Sequence, residues 1–524
     1  MVCALAYTCL IAFAAGAKPP HIVMMVLDDL GWNDLGYRSK DVKTPAIDRM
    51  EAQSVSLLNY YGMSSCAPTR STLMTGRHVT RTGIYTPFAG NMPEGVPLTE
   101  TFLPQTLKKL GYSTHMVGKW HLGFYKKEYT PTFRGFDTFY GFYGWGENYF
   151  SHLSSYPTRG GQTSMGYDFR DEDQPNCSGS CSVVDHRADG HYSTNLFAAR
   201  AVRIIEAHDP EIPLFLYLPW QAVHAPRNVP ASYAIPFAGG PRNADFCGMV
   251  AAVDEGIENV TEALSGKGML NDSVIVVTAD NGGPVDDSTT PGIHEGDAIG
   301  ASNYPLRGGK HSIFEGGVRL TSFVWASTLK ARNHYGLMHT VDWYATLAKL
   351  AGASSLELDG LNLDSKDQWA AFQGGGSPHD IMFLGCQFSS HPWYPVCALR
   401  SGDWKFIVGD PHAPYGWSEQ DPMGEATGRE LYGYNLPATA AGGLKPSVML
   451  LYNVSSDLSG DVGERHNLLE QEPSVVSKFL QAFRPWNVSR VPYDFAMDAK
   501  APKGVPIDGV WGPWVQTGTK LLMV

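Results

Sequence analysis

Apolar runs alternate with amphipathic stretches through the N-terminal half of the chain. The segments His21–Leu27 (HIVMMVL) and Val274–Thr278 (VIVVT) are apolar almost throughout. Runs of this kind predict strands that are buried on both faces, as in a parallel sheet. Tyr112–Val117 and Pro213–Leu218 predict two further strands.

Segments with helical spacing of apolar residues separate these strands. Helices are predicted from Thr44-Pro45 to about Met50, over Thr101–Leu110 before Gly111, over Thr194–Ala207 and over Asn243–Leu264. Strands that alternate with helices indicate a layered α/β fold. The loops at the carboxyl ends of such strands carry function, and Asp28-Asp29 and Asp280-Asn281 follow two of the predicted strands.

The pattern changes after the segment Gly374-Gly375-Gly376-Ser377-Pro378, which has the composition of a linker. Beyond it, Cys397–Arg400 and Trp404–Val408 predict two short strands joined in a hairpin by Ser401-Gly402-Asp403. We therefore expect a catalytic domain over residues 18–376 and a smaller C-terminal α+β domain over residues 377–524.

Composition and charge narrow the class of partner. The 524 residues are 43% hydrophobic and 18% charged, which is typical of a globular protein. The formal net charge of −12 argues against nucleic acid as a partner, because binding to phosphates needs a basic face. A small anionic substrate stays open, since a few cations within a pocket suffice to bind it.

The N-terminus predicts entry into the secretory pathway. An apolar run over Ala4–Ala15 precedes the small residues Ala15-Gly16-Ala17, which indicates a signal peptide over residues 1–17; a buried strand is the alternative. This run is too short to span a bilayer, and no later segment is apolar for long enough to do so. Sequons for N-glycosylation support a secreted or lysosomal glycoprotein and occur at Asn176, Asn259, Asn271, Asn453 and Asn487.

The eight cysteines have different expected fates. Cys3 and Cys9 would leave with the signal peptide. Local disulfides are possible between Cys177 and Cys181 and between Cys386 and Cys397, although sequence alone does not determine the pairing. Cys247 lies in an apolar helical stretch and is expected to be a buried thiol, which leaves Cys66 for chemistry.

The segment Ser65–Arg77 reads SCAPTRSTLMTGR. Pro68 and the residues after it predict the start of a helix, and a helix N-terminus favours anionic groups. A structural cysteine in a turn is the alternative interpretation of Cys66. The segment resembles the signature of the sulfatase family, Cys-x-Pro-x-Arg followed by Thr-Gly-Arg. The resemblance implies that a formylglycine-generating enzyme oxidises Cys66 to formylglycine, whose hydrated aldehyde both attacks sulfur and later expels sulfate.

The acidic side chains after the two buried strands predict a cation site. Asp28, Asp29, Asp280 and Asn281 offer the oxygen ligands that Ca²⁺ or Mg²⁺ prefers, and paired carboxylates repel each other unless a cation intervenes. Asx turns that cap two strands are the alternative. The sulfatase resemblance implies Ca²⁺ rather than Mg²⁺ here, bound also by an oxygen of the modified Cys66.

Three further segments resemble sulfatase motifs: Val117–Gly123 (VGKWHLG), Val223–Pro226 (VHAP) and Leu306–Arg319 (LRGGKHSIFEGGVR). By this resemblance Lys119, His224 and Lys310 bind the sulfate, His121 takes a proton from the diol, and Arg70 steadies the formylglycine. Met338–Gly352 also resembles a helix of the family.

The resemblance runs from Ile22 to about Val408 and implies an α/β, alkaline-phosphatase-like fold with a mixed sheet sandwiched by helices. It implies hydrolysis of sulfate monoesters, either aryl sulfates or sulfated carbohydrates. The Lys310 segment and Ala398–Lys405 most resemble those of arylsulfatase B-like enzymes, a subgroup that acts on 4-sulfated N-acetylgalactosamine in glycosaminoglycans. This sugar specificity does not transfer with the motifs, so an N-acetylhexosamine sulfate is one possible substrate.

Two alternatives of other kinds remain. A phosphodiesterase or phosphonate monoester hydrolase of the same superfamily would share the aspartate ligands, although such enzymes usually carry Ser or Thr as nucleophile and bind two metals. A binding module that lost turnover would have lost some of the residues that act on sulfate, and this chain retains Cys66, Arg70, Lys119, His121, His224 and Lys310.

Overall fold

The computed structural model describes residues 18–157, 162–285, 300–388, 395–409, 411, 449–455, 457–492, 500 and 502–515. The predicted signal peptide, with Cys3 and Cys9, lies outside the described residues.

Strands and helices alternate along the chain, as the sequence predicts. The strands are β1 His21–Leu27, β2 Val55–Leu57, β3 Tyr60–Tyr61, β4 Ser113–Lys119, β5 Thr138–Phe142, β6 Leu153–Pro157, β7 Thr163–Tyr167, β8 Arg170–Glu172, β9 Ser182–Val184, β10 Leu214–Pro219, β11 Ser273–Ala279, β12 Ser322–Ala326, β13 Arg332–His334, β14 Met338–His339, β15 Met382–Phe388, β16 Pro395–Ser401, β17 Trp404–Val408 and β18 Met449–Asn453. The helices are α1 Pro45–Glu51, α2 Cys66–Thr75, α3 Val79–Thr82, α4 Leu103–Lys109, α5 Ser193–Ala207, α6 Ala231–Ala234, α7 Ala244–Gly266, α8 Glu315–Val318, α9 Asp342–Leu350, α10 Ser355–Asp359, α11 Trp369–Phe372 and α12 Pro473–Ser489.

A mixed sheet of ten strands forms the centre of the molecule, in the order β13-β2-β12-β11-β1-β10-β4-β5-β8-β9. β1 pairs in parallel with β10 and with β11, and β10 pairs in parallel with β4. The four strands predicted from apolar runs are therefore adjacent in the sheet, and their carboxyl ends meet along one edge. β12 pairs with β11 in the antiparallel direction, which makes the sheet mixed.

Helices cover both faces of this sheet, because successive side chains of a strand point to opposite faces. Ile22, Met24 and Val26 of β1 pack into the core that contains residues of α2, α4 and α9. Val23 and Met25 pack into the second core, which contains residues of α1, α5 and α7. The predicted helix-sheet-helix layering is confirmed.

The C-terminal part forms a separate antiparallel sheet in the order β15-β16-β17-β18, which includes the predicted hairpin of β16 and β17. α12 packs on this sheet, with the rings of Phe406 and Phe479 stacked at 5.5 Å. Disulfides join Cys177 to Cys181 and Cys386 to Cys397. Cys66 and Cys247 are buried free cysteines among the described residues.

One helix boundary differs from the prediction. The helix expected from Met338 begins only at Asp342, because Met338 and His339 form β14 and pair in parallel with β3. The Asp342 carboxylate accepts the backbone N–H of His339 at 2.9 Å, which fixes this turn into the helix. In the part of the chain that the structure describes, no helix has the length and apolar content needed to cross a bilayer.

Candidate active site

Cys66 is the first residue of α2, a helix whose ten residues are all buried. Ser65 before it is extended, and Gly76 ends the helix in the left-handed region at a φ of 64°. The Thr69 hydroxyl oxygen accepts the backbone N–H of Met63 at 2.9 Å and holds the entering chain against the first turn. The side chain of Cys66 therefore lies at a helix N-terminus, where the aligned peptide dipoles favour negative charge.

The two acidic pairs meet because β1 and β11 are parallel neighbours with Leu27 opposite Ala279. The backbone N–H of Asp29 donates to Oδ1 of Asp280 at 3.2 Å, and Nδ2 of Asn281 donates to Oδ1 of Asp29 at 2.7 Å. Asp28 and its three partners are all buried. The predicted oxygen ligands thus converge at the carboxyl edge of the sheet.

Cationic side chains from other elements surround these carboxylates. The Lys119 ammonium, at the end of β4, donates to Oδ2 of Asp28. Lys310 Nζ donates to Oδ2 of Asp29 at 2.7 Å, and Nε and Nη2 of Arg70 donate to Oδ2 of Asp280 at 3.0 and 2.8 Å. Buried positive charge from three segments of the chain therefore lies beside the carboxylates, an arrangement suited to binding an anionic group.

The thiol of Cys66 faces this charged cluster, with Sγ 3.5 Å from Oδ1 of Asp28. Burial and the negative charge of Asp28 raise the pKa of the Cys66 thiol to about 12. The thiolate is the nucleophilic form of cysteine, so an unmodified Cys66 is a poor nucleophile near neutral pH.

Burial and charge act in opposite directions on the carboxylates. Burial alone would raise the pKa of Asp28, but the positive charges of Lys119 and Arg70 hold it well below its usual range. Burial and the charge of Asp28 raise the pKa of Asp280 to about 7 despite its contact with Arg70. At Asp280, therefore, the contact with Arg70 does not fully offset burial and the negative charge of Asp28.

The donor set fits a hard divalent cation. Oδ1 of Asn281 is buried and has no hydrogen-bond partner among the described residues, as expected of an oxygen that ligates a metal. Asp28, Asp29, Cys66 and His224 each offer a ligand atom, and these atoms lie within 4.8 Å of one another. Carboxylate and amide oxygens are the ligands that Ca²⁺ and Mg²⁺ prefer.

Two histidines border the cluster. His121 has a φ of 56°, its Nε2 lies 3.0 Å from the Phe88 carbonyl, and its Nδ1 is buried without a partner in the described part of the chain. Nε2 of His224 lies 3.8 Å from Oδ2 of Asp29. Burial lowers the pKa of both imidazoles, with Lys119 adding to the effect at His121 and Lys310 at His224. A neutral imidazole is able to accept a proton.

The structure gathers the predicted site residues around Asp28 and Asp29, and it adds two supporting residues that the sequence did not indicate. The hydroxyl of Ser64 donates to the side-chain oxygen of Gln387. Nε2 of Gln387 donates to the His311 carbonyl at 2.7 Å, and the His311 N–H donates to the Ser64 carbonyl at 2.7 Å. Gln387 belongs to β15, so the C-terminal sheet supports both the Cys66 loop and the Lys310 loop. No sequence pattern marks these residues, because Ser64 and Gln387 are 323 positions apart.

An alkaline-phosphatase-like sheet whose edge combines a helix-borne Cys66, clustered carboxylates and buried cations defines a hydrolase of anionic esters. The sequence model described as Sulfatase matches residues 20–353 of the chain. This protein belongs to the sulfatase family.

Relatives and solved structures agree with this assignment. The chain is 34% identical to mouse Arylsulfatase J, over 97% of this chain and 82% of that protein. It is 31% identical to human N-acetylgalactosamine-6-sulfatase, over 67% of this chain and 66% of that protein. It is 29% identical to human Arylsulfatase A, over 93% of this chain and 91% of that protein. The crystal structure of Ps i-CgsB has a TM-score of 0.70 at 25% identity and covers 90% of this chain and 94% of its own. The PsFucS1 sulfatase from Pseudoalteromonas sp. shares the fold with a TM-score of 0.67 at 21% identity, over 91% and 92% of the two chains. The chain is accordingly a sulfuric ester hydrolase.

Proposed function

We propose that this enzyme hydrolyses sulfate monoesters with a formylglycine made from Cys66 and with a bound Ca²⁺. The observation that carries the proposal is the position of Cys66, at a buried helix N-terminus between the carboxylate cluster and the cations. Burial and the charge of Asp28 raise the pKa of its thiol, which disfavours the thiolate form. A formylglycine-generating enzyme is the partner that this maturation requires.

Asp28, Asp29, Asp280 and Asn281 would hold the cation, together with an oxygen on the modified Cys66. The bound cation would neutralise charge on the sulfate and polarise its oxygens. Ca²⁺ is proposed over Mg²⁺ because the chain belongs to the sulfatase family, whose members generally use calcium, and because carboxylate and amide oxygens suit this ion.

The chain's own cations bind the substrate in this proposal. Lys119, His224 and Lys310 hold the sulfate oxygens in a buried pocket, where such contacts act strongly on charge that develops in the transition state. Arg70 holds the modified side chain through its rigid donor fork. Lys310 or His224 protonates the departing ester oxygen.

Two residues handle the remaining proton transfers. Asp280 accepts the proton of the hydroxyl that attacks sulfur. His121, whose buried Nδ1 has no partner among the described residues, takes the proton of the second hydroxyl as sulfate leaves.

We propose a sulfated carbohydrate as substrate, with aryl sulfates as synthetic equivalents. The similarity to human N-acetylgalactosamine-6-sulfatase supports an N-acetylhexosamine sulfate of a glycosaminoglycan. We further propose a secreted or lysosomal glycoprotein with a signal peptide over residues 1–17, a catalytic domain over 18–376 and a smaller domain over 377–524. The asparagines of four sequons are exposed, in agreement with glycosylation: Asn176, Asn259, Asn271 and Asn487.

Mass spectrometry of the peptide that contains Cys66, combined with turnover assays, tests the proposal. We expect an aldehyde at position 66 in active protein, and loss of aryl sulfate turnover by at least about 1,000-fold in Cys66→Ala. Cys247→Ala is the matched control, since Cys247 is buried away from the site. An unmodified thiol in fully active enzyme would refute the proposal, and faster turnover of an aryl phosphate diester than of an aryl sulfate would favour the phosphodiesterase alternative.

A further inference from the structure

His311 directly follows Lys310 and has an unusual backbone conformation. Its φ of 74° lies in the left-handed region, which residues other than glycine rarely adopt. Two hydrogen bonds hold it there: its N–H donates to the Ser64 carbonyl at 2.7 Å, and its carbonyl accepts Nε2 of Gln387 at 2.7 Å. A strained residue that is fixed from both sides is typical of functional sites.

The imidazole of His311 is partly exposed and borders the charged cluster, since Lys310, Asp29 and His224 all act on it electrostatically. Cys66 is 2% exposed, and the side chains of Lys310 and His224 are 10% and 20% exposed. With the sulfate among the buried cations, as proposed above, we expect the alcohol part of the ester toward these more exposed side chains.

Burial and the neighbouring charge of Lys310 lower the pKa of His311 to about 4. The imidazole is therefore neutral at pH 5 and above, with one nitrogen that donates and one that accepts a hydrogen bond. Hydroxyl and acetamido groups of a sugar ring match such a pair, whereas a nitrophenyl ring offers no hydroxyl or amide to it.

We propose that His311 is a specificity-determining residue that hydrogen-bonds the sugar ring of a sulfated carbohydrate, and that Gln387 is the positioning residue that holds it. This inference rests on the proposed sulfatase function and adds the leaving-group contact to it. It also gives the C-terminal sheet a part in substrate selection, because Gln387 belongs to β15.

The test compares 4-nitrophenyl sulfate with the 4- and 6-sulfates of N-acetylgalactosamine for wild type, His311→Gly and His311→Ala. Glycine accepts the φ of 74°, so His311→Gly removes the imidazole without adding backbone strain. We expect kcat/KM for the preferred sugar sulfate to fall about 10- to 100-fold, as for loss of one or two substrate hydrogen bonds, and kcat/KM for the aryl sulfate to change by less than about 3-fold. Gln387→Ala removes the donor that fixes the His311 carbonyl, so it should lower the ratio of kcat/KM for the sugar sulfate to kcat/KM for the aryl sulfate, in the same direction as His311→Gly.

Equal losses on both substrate types would overturn the proposal, because His311 would then serve the chemistry or the fold rather than the sugar. Unchanged kinetics on sugar sulfates that the wild type hydrolyses would also overturn it, as would a wild type that turns over the aryl sulfate but neither sugar sulfate. Absence of aryl sulfate turnover in wild type with an unmodified Cys66 would instead overturn the proposed function, so the two failures are distinguishable.

Discussion

Lys405 of β17 is the centre of a buried charge cluster between the two sheets. Its Nζ lies 3.0 Å from Oε1 of Glu315 and 2.9 Å from Oε1 of Glu464, and all three side chains are 0% exposed. The same ammonium donates to the Ile313 carbonyl at 2.8 Å. One cation therefore contacts two carboxylates and also binds the segment that follows Lys310.

Replacing Lys405 with Met preserves most of the volume and removes the charge. Arg319 and Arg400 still face Glu315 after this change, at 3.2 and 3.7 Å. Glu464 loses the ammonium that binds its carboxylate and is left buried. Removing one partner of a buried ion pair costs about 3–5 kcal/mol. Glu464 has a pKa of about 7, so we expect Lys405→Met to lower the free energy of unfolding by that amount above pH 7, where this carboxylate is ionised, and by less at lower pH.

Urea denaturation monitored by tryptophan fluorescence measures this loss in the free energy of unfolding. Lys349→Met is the matched control, because Lys349 and Asp367 form an exposed pair at 3.7 Å whose loss should cost less than about 1 kcal/mol. In a Glu464→Gln background Lys405→Met should cost clearly less than in wild type, since no second buried charge is then left behind. A loss in wild type no larger than that of the control would refute the reasoning.

Three further predictions concern the metal, a close backbone contact and pH. Removal of divalent cations with a chelator should lower both the melting temperature and aryl sulfate turnover, and Ca²⁺ should restore them better than Mg²⁺; full activity in metal-free protein would contradict the cation site. A Cβ at Gly282 would lie 1.7 Å from the Gly316 carbonyl oxygen, so Gly282→Ala should displace the Lys310 loop and reduce kcat/KM at least about 10-fold. Gly266→Ala is the control, because no atom lies within 4 Å of the Cβ that it adds. Equal activities of the two variants would contradict the contact. Burial raises the pKa of Glu464 from 4.5 to about 7, so folding takes up a proton between these two pH values. The free energy of unfolding of wild type should therefore rise by roughly 1 kcal/mol per pH unit, relative to Glu464→Gln, as pH falls through this window. Parallel plots of stability against pH for the two proteins would contradict the prediction.

Local sequence was sufficient for the elements of the fold. His21–Leu27 and Ser273–Ala279 are strands because each is a short apolar run that ends in a polar pair, and the structure buries every residue of both. Asn243 is the N-cap of α7, and its side chain accepts the backbone N–H of Phe246 at 2.9 Å. Hydrophobic periodicity, helix-capping residues and turn residues each depend on a few neighbouring positions, so a single sequence is enough to identify them. The start of α9 was placed too early because the pairing of Met338 with Tyr60 is a long-range contact.

The sequence by itself determined the four central strands and the helices that alternate with them, and the positions of the acidic pairs at strand ends. Through Ser65–Arg77 it also indicated the family. Only the tertiary structure decided which strands are neighbours, and so that Asp29 and Asn281 meet across 252 positions. It also decided that Gln387 supports His311, and that Lys405 and Glu464 meet Glu315 beneath the Lys310 loop. These contacts depend on how whole layers pack, and a pattern of hydrophobic and polar positions specifies which face of an element is buried but not which distant residue it meets.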